Sequence, residues 1–567
     1  MLKRIRQRTR WFAPLRGLRF IWHSLNNWRR KQFHHLDYIT FYLPQTIPAL
    51  PESRDWIRRR ILGDPPISLL EIDRVFERIG SDPRPKGIII HLRGLSLSLA
   101  DLQTLRSSLI RLRQKGKRVI CYAQDYDNST YYLASAADEI IIQPGGSLMT
   151  IGLISQPTFL KNALDTLGIQ LDVVAISPYK GAYDQFSRES ISPEGQEQIN
   201  WLLDSRYQII LEGIAEGRRM MLDEVRALID TAPHLDKTAL EKRYVDAVLS
   251  EEALPAHLGV EHIVPLSEAA PVLLRKWRKR SEKSIAILPL RGLIMPGESA
   301  EPPGGVPIPV PIFGEERLGD LTVVQQARNL MQNERIAAII LWIDSPGGSA
   351  AASEAMTAAL DELAKKYPTI AFMNSVAASG GYYISTSARW IVAQPGTITG
   401  SIGVILGKPI THGLLENLKV NRLEFTRGAN ATIFSDQMPF NDEQRRQMRQ
   451  GIERSYEQFI GRVAKSRNMT AEAVDAVGSG RVWTGRQAQK HGLVDELGDL
   501  HVALAKAREL ANLPADTPIT IIHEEGEPLG PQLVEKANPA AILRYITENF
   551  RIIASGKAQF LMPVRWD

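Results

Sequence analysis

The strongest constraint on this chain is an internal repeat. Tyr131–Ile154 (YYLASAADEIIIQPGGSLMTIGLI) aligns without gaps on Tyr382–Ile405 (YYISTSARWIVAQPGTITGSIGVI), at a constant offset of 251. Similarity sustained at one spacing calls for two folded units built on one plan. The copies differ where a hydrolase would keep its working atoms. Ala378-Ser379-Gly380-Gly381 in the second copy faces Asp127-Asn128-Ser129-Thr130 in the first, so Asn128 stands where Ser379 does, and Lys180 faces Ala431. One copy offers a candidate nucleophile and the other a candidate base, as a single active site divided between duplicated domains would require.

Within each copy, short β-branched runs alternate with helical patterns of about fifteen residues, which predicts parallel sheets covered by helices. Gly87–Leu92 (GIIIHL) and Ala338–Ile343 (AIILWI) read as buried central strands, again 251 apart. A strand covered on both faces is apolar throughout rather than alternating. Helices are expected over 100–115 and 351–366, followed by strands over 118–123 and 369–374. The fold class is therefore α/β, with tandem duplicated domains. The expected organisation is a basic arm over 1–36, a first repeat over 37–264 with the base, and a linker over 265–283. A second repeat with the nucleophile follows over 284–522, then a helical extension over 523–567.

Hydrophobic residues make up 44% of the 567 and charged residues 23%, which excludes wholesale disorder and a polytopic membrane protein. Cys121 is the only cysteine, so neither an intrachain disulfide nor a thiolate metal cluster can form. The net charge of +6 is local: the first 36 residues hold ten Lys/Arg and no acid, and the remainder carries −4. In that arm Trp11, Leu15, Leu18, Trp22 and Leu25 recur at the spacing of one helical face, with Arg8, Arg16 and Arg19 on the other. Pro14 suits a helix start rather than a helix interior. A basic arm also suits nucleic acid or a disordered tail, but aromatic residues within the stripe favour an anionic membrane surface, with no nucleic-acid partner. No stretch reaches the roughly 20 apolar residues needed to span a bilayer. The expectation is a peripheral or N-terminally anchored protein.

Three segments break the repeat. The basic run Leu273-Leu274-Arg275-Lys276-Trp277-Arg278-Lys279-Arg280 reads as a solvated linker helix in preference to a binding patch. Residues 296–319 are too rich in Pro and Gly for a helix or a central strand and should form a long loop. Its apolar half, 306–313, suits either a groove for hydrophobic substrate or a surface connector. Residues 531–553 read as a helix, followed by an apolar tail, Phe560-Leu561-Met562, for which an oligomer contact is the simplest role.

Chemistry concentrates in the second copy. Asp344-Ser345-Pro346-Gly347-Gly348-Ser349 follows a strand and opens a helix, and its paired glycines free backbone N–H groups for a developing oxyanion. The first copy has Arg93-Gly94-Leu95-Ser96-Leu97-Ser98 there, without the pair. Ser379 lies at a turn among small residues that let a peptide backbone approach, and the N–H of Gly380 offers a further oxyanion donor. Of the histidines only His412 follows Ser379 closely, and nothing in its setting recommends it as a base. Lysine is the other option, because Ser-Lys pairs recur as variants of the triad. A lysine serves only when its pKa is brought down from about 10.4, which desolvation can do. Lys180, in Ser177-Pro178-Tyr179-Lys180-Gly181-Ala182-Tyr183, has aromatic and small neighbours that permit burial.

These residues resemble bacterial signal peptide peptidase A, or protease IV, in its long duplicated form. The motifs are Tyr179-Lys180-x-Ala182 with Phe186-x-Arg188 and Ser192-Pro193, then Asp-Ser-Pro-Gly-Gly-Ser at 344–349 and Ala-Ser-Gly-Gly-Tyr-Tyr at 378–383. The resemblance covers most of 37–522. It implies Ser379 as nucleophile, Lys180 as general base and Ser401 as the hydroxyl that holds the lysine amine, with Thr150 as its counterpart in the first copy. It further implies a crotonase-like or Clp-like fold, a homo-oligomer, tetrameric in the family, and cleavage of released signal peptides at the bacterial inner membrane without metal or organic cofactor. Long members usually begin with a transmembrane segment, whereas this chain begins with the basic aromatic arm. Two other readings use the same residues: a crotonase-type acyl-CoA enzyme, which also polarises a carbonyl with paired N–H groups, and a catalytically inactive membrane scaffold.

Overall fold

The computed structural model describes residues 13–33, 36–54, 59–60, 63–277, 281–300, 316–522 and 559–561. The chain forms two compact units, and their boundaries cut across the first repeat. One unit comprises Met1–Gly152 and Gln208–Arg280, the other Leu153–Tyr207 and Ser281–Asp567. The segment that carries Lys180 thus belongs by sequence to the first repeat and by packing to the second unit.

The first unit is built on six parallel strands in the order Ile263–Pro265, Tyr38–Tyr42, Gly87–Leu92, Arg118–Ala123, Glu139–Ile142, Ala247–Val248. Every residue of Gly87–Leu92 is buried, as its unbroken apolar run requires. The helix Leu99–Gln114 starts where Ser98 accepts a hydrogen bond from the Asp101 N–H at 3.0 Å. Its Leu102, Leu105, Leu109 and Leu112 recur at helical spacing and are buried. The N-terminal helix, Ala13–Lys31, contrasts with it: Ile21, Trp22, Leu25 and Trp28 lie on the surface.

The basic run after the helix Leu266–Val272 is not helical over 273–277. Leu273 turns extended and is fully buried, and the Leu274 N–H donates to Asp82 Oδ2 at 2.8 Å. Arg84 binds that same carboxylate and the Val272 carbonyl, so side chains of the preceding layer take up the backbone groups that another helical turn would use.

The second unit repeats the plan with longer strands. Its main sheet runs Val482–Thr484, Ile398–Gly400, Thr369–Ala378, Ile336–Ser345, Ser284–Arg291, Ile519–Ile521, and Trp390–Ala393 with Glu496–Leu497 extends it off Thr369–Ala378. All pairings are parallel except Ile398–Gly400 with Val482–Thr484. The helix Ala350–Lys366 buries Ala352, Met356, Leu360 and Leu363 against this sheet's core.

A second, mixed sheet has the order Arg317–Gly319, Leu293–Met295, Gly347–Ser349, Gln559–Leu561, Ile405–Ile410, Gln170–Ala175. Two expectations change here. The end of the anticipated loop forms the edge strand Arg317–Gly319, since an edge position pairs on one side only and tolerates glycine. The apolar tail supplies the strand Gln559–Leu561 within the chain's own sheet. The anticipated helix over 531–553 and the apolar half-loop 306–313 lie outside the described residues.

Candidate active site

Ser379 sits where the strand Thr369–Ala378 gives way to the helix Gly380–Ser385. Its backbone is held at φ 55° and ψ −113°, a region that costs an L-residue of order 1–3 kcal/mol. Two bonds hold the strain: the Ser379 N–H donates to the Gly400 carbonyl at 2.8 Å, and the Ser379 carbonyl accepts from the Tyr383 N–H at 2.8 Å. The glycines that follow are needed for space. A Cβ on Gly380 would lie 2.7 Å from Ser353 Oγ and 3.2 Å from Gly347 Cα, and one on Gly381 would lie 2.5 Å from the Ser345 carbonyl oxygen. The sharp turn therefore projects the hydroxyl away from the strand while bringing Gly380 beside Gly347.

Lys180 Nζ lies 2.7 Å from Ser379 Oγ, 2.8 Å from the Ser401 carbonyl oxygen and 2.9 Å from Ser401 Oγ. Lys180, Ser379 and Ser401 are all buried. Burial alone, with no carboxylate partner contributing, pushes the lysine amine well below its ordinary value. Ser401 is itself held at φ 53°, and its N–H donates to the Arg481 carbonyl at 2.6 Å. Three contacts match the capacity of an uncharged amine: one lone pair for a hydroxyl proton, and two N–H groups for the two Ser401 oxygens.

Residues far away in sequence hold the lysine segment in place. Trp201 stacks on Trp483 with ring centroids 4.8 Å apart, and Arg481 lies over the Tyr179 ring at 4.1 Å. Trp201 Nε1 donates to the Val482 carbonyl and Gln198 Oε1 accepts from the Val482 N–H, both at 2.9 Å. Ser205 and Thr484 hydroxyls meet at 2.7 Å. The turn Gly478–Arg481 presses on the lysine itself, because a Cβ on Gly480 would lie 2.7 Å from Lys180 N and 2.8 Å from its Cα. Tyr456 steadies that turn by accepting from the Ser479 N–H at 2.8 Å and donating to Asp475 Oδ1 at 2.5 Å. Sequence reasoning did not find this brace. The Gly478-Ser479-Gly480 run was its one visible trace, and its positive-φ Ser479 and Gly480 explain the composition. Gly480→Ala is expected to displace Lys180 by a fraction of an ångström to an ångström and lower kcat by about 10²-fold with the fold retained, checked by peptide hydrolysis and circular dichroism.

The paired glycines adopt conformations closed to other residues, φ 104° at Gly347 and 149° at Gly348. A Cβ on Gly348 would lie 2.0 Å from the Ile294 carbonyl oxygen. The Gly347 N–H donates to Ser345 Oγ at 3.2 Å, and that hydroxyl donates to the Gly292 carbonyl at 2.7 Å. Gly347 is thus engaged in its own turn, while Gly380 opens a helix, where N–H groups lack partners within the helix. Asp344 is structural: its carboxylate accepts from the Val376 N–H at 3.1 Å and from Asn374 Nδ2 at 3.2 Å.

The corresponding place in the first unit is closed. Asn128 begins a helix capped conventionally by Asp127, and its Nδ2 donates to the Gly152 carbonyl at 2.6 Å. Thr150, opposite Ser401 by offset, is buried. Ala431, opposite Lys180, lies on the surface of the second unit. His412 is exposed beside Glu416, 3.2 Å away, and near Gln437.

The family model for peptidase family S49 matches this chain twice, over residues 111–261 and 361–514. The chain belongs to peptidase family S49. The first S49 match contains Lys180 and the second Ser379 and Ser401. Among curated relatives, the chloroplastic serine protease SPPA of Arabidopsis thaliana is 31% identical over 80% of this chain and 68% of its own. Protease 4 of Salmonella typhi is 32% identical over 79% and 72%, and Protease 4 of Haemophilus influenzae 29% over 80% and 74%. The chain is therefore a serine-type S49 peptidase of the long, duplicated kind, and its two S49 stretches account for the repeat.

Proposed function

We propose that the chain is an endopeptidase working through a Ser379–Lys180 dyad on hydrophobic peptides, such as released signal peptides, at a membrane surface. The observation that carries this reading is the buried contact of Lys180 Nζ with Ser379 Oγ at 2.7 Å, with both remaining amine contacts going to Ser401. In the uncharged state Ser379 O–H donates to the amine lone pair. The amine takes this proton as Ser379 Oγ attacks the peptide carbonyl, and the oxyanion is held by the N–H groups of Gly380 and Gly348. The ammonium then protonates the leaving amine, which expels it and leaves an acyl-serine. The restored amine draws a proton from water as the water oxygen attacks the ester, and the ammonium returns that proton to Ser379 Oγ as the ester breaks, which frees the acid product and the enzyme. Ser401 orients the amine. Its replacement by alanine removes one hydrogen bond and leaves the Ser401 carbonyl, so kcat should fall about 2- to 10-fold, as expected for about 0.5–1.5 kcal/mol. The test is hydrolysis of a fluorogenic peptide with a small apolar residue before the cut: turnover by wild type that Ser379→Ala and Lys180→Ala both lack supports the reading, and turnover by either variant defeats it.

For membrane attachment, no helix among the described residues is long and apolar enough to cross a bilayer. The helix Ala13–Lys31 instead exposes Ile21, Trp22, Leu25 and Trp28 along one side and ends in Arg29, Arg30 and Lys31. Apolar side chains next to cations suit the boundary between acyl chains and anionic headgroups. Burying one large side chain there contributes about 1.5–3 kcal/mol, so Trp22→Glu with Trp28→Glu should weaken co-sedimentation with phosphatidylglycerol vesicles by well over tenfold. Association of copies is part of the same proposal. Leu423 and Phe425, 79% and 88% exposed, give the second unit an apolar surface suited to a homo-oligomer contact, which light scattering would register as a mass above one chain.

A further inference from the structure

The helix Ala13–Lys31 is held to the first unit by one side, and that side is not its apolar one. Phe20 packs edge-on against Trp277 with ring centroids 5.4 Å apart, and His23 meets the same ring at 5.2 Å. Asn27 Nδ2 donates to the Arg275 carbonyl at 2.8 Å, and its Oδ1 accepts from the Arg275 N–H at 3.2 Å. Arg30 Nε donates to the Pro271 carbonyl at 3.2 Å, while Arg84 donates to the carbonyls of Arg30 and Phe33 at 2.6 and 3.0 Å. The segment 271–277 thus runs antiparallel along the helix and clamps it. Positions 20, 23, 27 and 30 share one helical face, and Ile21, Trp22, Leu25 and Trp28 lie on the opposite one, exposed. A helix that docks through polar and edge-aromatic contacts and turns its apolar side outward is arranged for an apolar partner outside the chain. Charge narrows that partner. The helix has five Lys/Arg and no acid, and 275–280 has five more and no acid. Burial, then the charge of Arg275, lowers the Arg30 guanidinium below its ordinary value, and burial, then Arg275 and Arg30, does the same to Arg78 against the opposing effect of Asp82. The Asp82 carboxylate is itself engaged by Arg84 at 2.7 Å. Like charges gathered this closely call for an anion, and the apolar face beside them calls for acyl chains, a combination that an anionic bilayer offers and a nucleic acid does not.

We propose that Arg275, Lys276 and Trp277 belong to the bilayer-binding surface, held at headgroup level beside the helix, so that an anionic membrane binds the first unit in one fixed orientation and not through a free arm. The inference rests on the membrane reading of the helix given above and adds to it a second contact and a rigid connection. All three residues are exposed, Trp277 by 38% even though it packs on Phe20 and His23. Each Lys or Arg near an anionic membrane surface raises binding about fivefold, an effect that salt screens. The two cations therefore contribute more than tenfold at low ionic strength.

The experiment uses the full chain and vesicles of phosphatidylglycerol and phosphatidylcholine in equal parts, with pure phosphatidylcholine as the uncharged reference. Arg275→Gln with Lys276→Gln keeps the clamp, because Asn27 binds only the backbone of Arg275. Binding of this variant to the anionic vesicles should fall at least tenfold, with no change on phosphatidylcholine. A second measurement places a fluorophore on Lys276→Cys, the native Cys121 being fully buried, and reads its quenching by lipids with nitroxide headgroups. The label should be quenched on anionic vesicles, and Asn27→Ala with Trp277→Ala should abolish the quenching while the protein still binds through its helix. Unchanged binding after loss of both charges overturns the proposal, as does a label that stays unquenched on vesicle-bound protein. Trp22→Glu with Trp28→Glu separates the two readings. If that pair removes binding while the charge pair has no effect, the helix reading stands and the linker contact is refuted. If it leaves binding intact while the charge pair weakens it, the helix reading fails and the linker contact stands.

Discussion

Ser379→Ala abolishes peptide hydrolysis, lowering kcat by about 10⁴- to 10⁶-fold, the range set by removing a nucleophile from a site whose other parts remain. The loss should come without a loss of fold. The φ of 55° strains alanine no more than serine, and alanine at that position keeps the same two backbone bonds to Gly400 and Tyr383. KM for a peptide should change little, because the hydroxyl contributes to bond making and not to strand pairing. Hydrolysis of a fluorogenic peptide, with circular dichroism and thermal melting as controls, checks both halves of the prediction. A variant that retains more than a hundredth of wild-type kcat would move the nucleophile elsewhere.

Lys180→Met removes activity to a similar extent and makes the protein more stable. In the unfolded chain the amine titrates near 10.5, and burial in the native state lowers that value. Between the two pKa values the unfolded chain holds a proton that the native chain lacks, so stability rises with pH across this window and levels off above about 10.5. The destabilisation is therefore largest at and below the native pKa and fades toward pH 10.5. Methionine has a similar shape and no charge to desolvate, so Tm should rise at pH 7 by more than it rises at pH 10. The pH dependence of kcat/KM has the matching sign: it climbs as Lys180 loses its proton, with an apparent pKa below that of an ordinary lysine. A stable site would thus be an inactive one, a trade-off found where catalysis requires a buried ionisable group.

Much of the fold was legible in the sequence because local rules and burial agree there. The run Gly87–Leu92 reads as a buried strand and forms one with the same ends, and the helix expected over 100–115 runs over Leu99–Gln114, one residue earlier at each end. The candidate site was visible through a comparison of the copies. Asn128 against Ser379, and Ser96 with Leu97 against Gly347 with Gly348, would mean little singly, yet they change together. What stayed hidden depends on contacts between distant residues. Nothing local in 153–207 announces that Trp201 stacks on Trp483, or that Gln198 and Ser205 bind the strand Val482–Thr484, yet these contacts carry Lys180 into the second unit. A three-residue strand such as Gln559–Leu561 has too little pattern to read, and its place is set by the two strands beside it.

The most direct test of the account is the rate at which a fluorophosphonate labels the protein as a function of pH, in wild type and Lys180→Met, with the modified residue identified by mass spectrometry. The account predicts label on Ser379 alone, at a rate that rises with pH through one ionisation below 10.5 and is lower by orders of magnitude in Lys180→Met. Label on another residue, or Lys180→Met reacting at the wild-type rate, would contradict it.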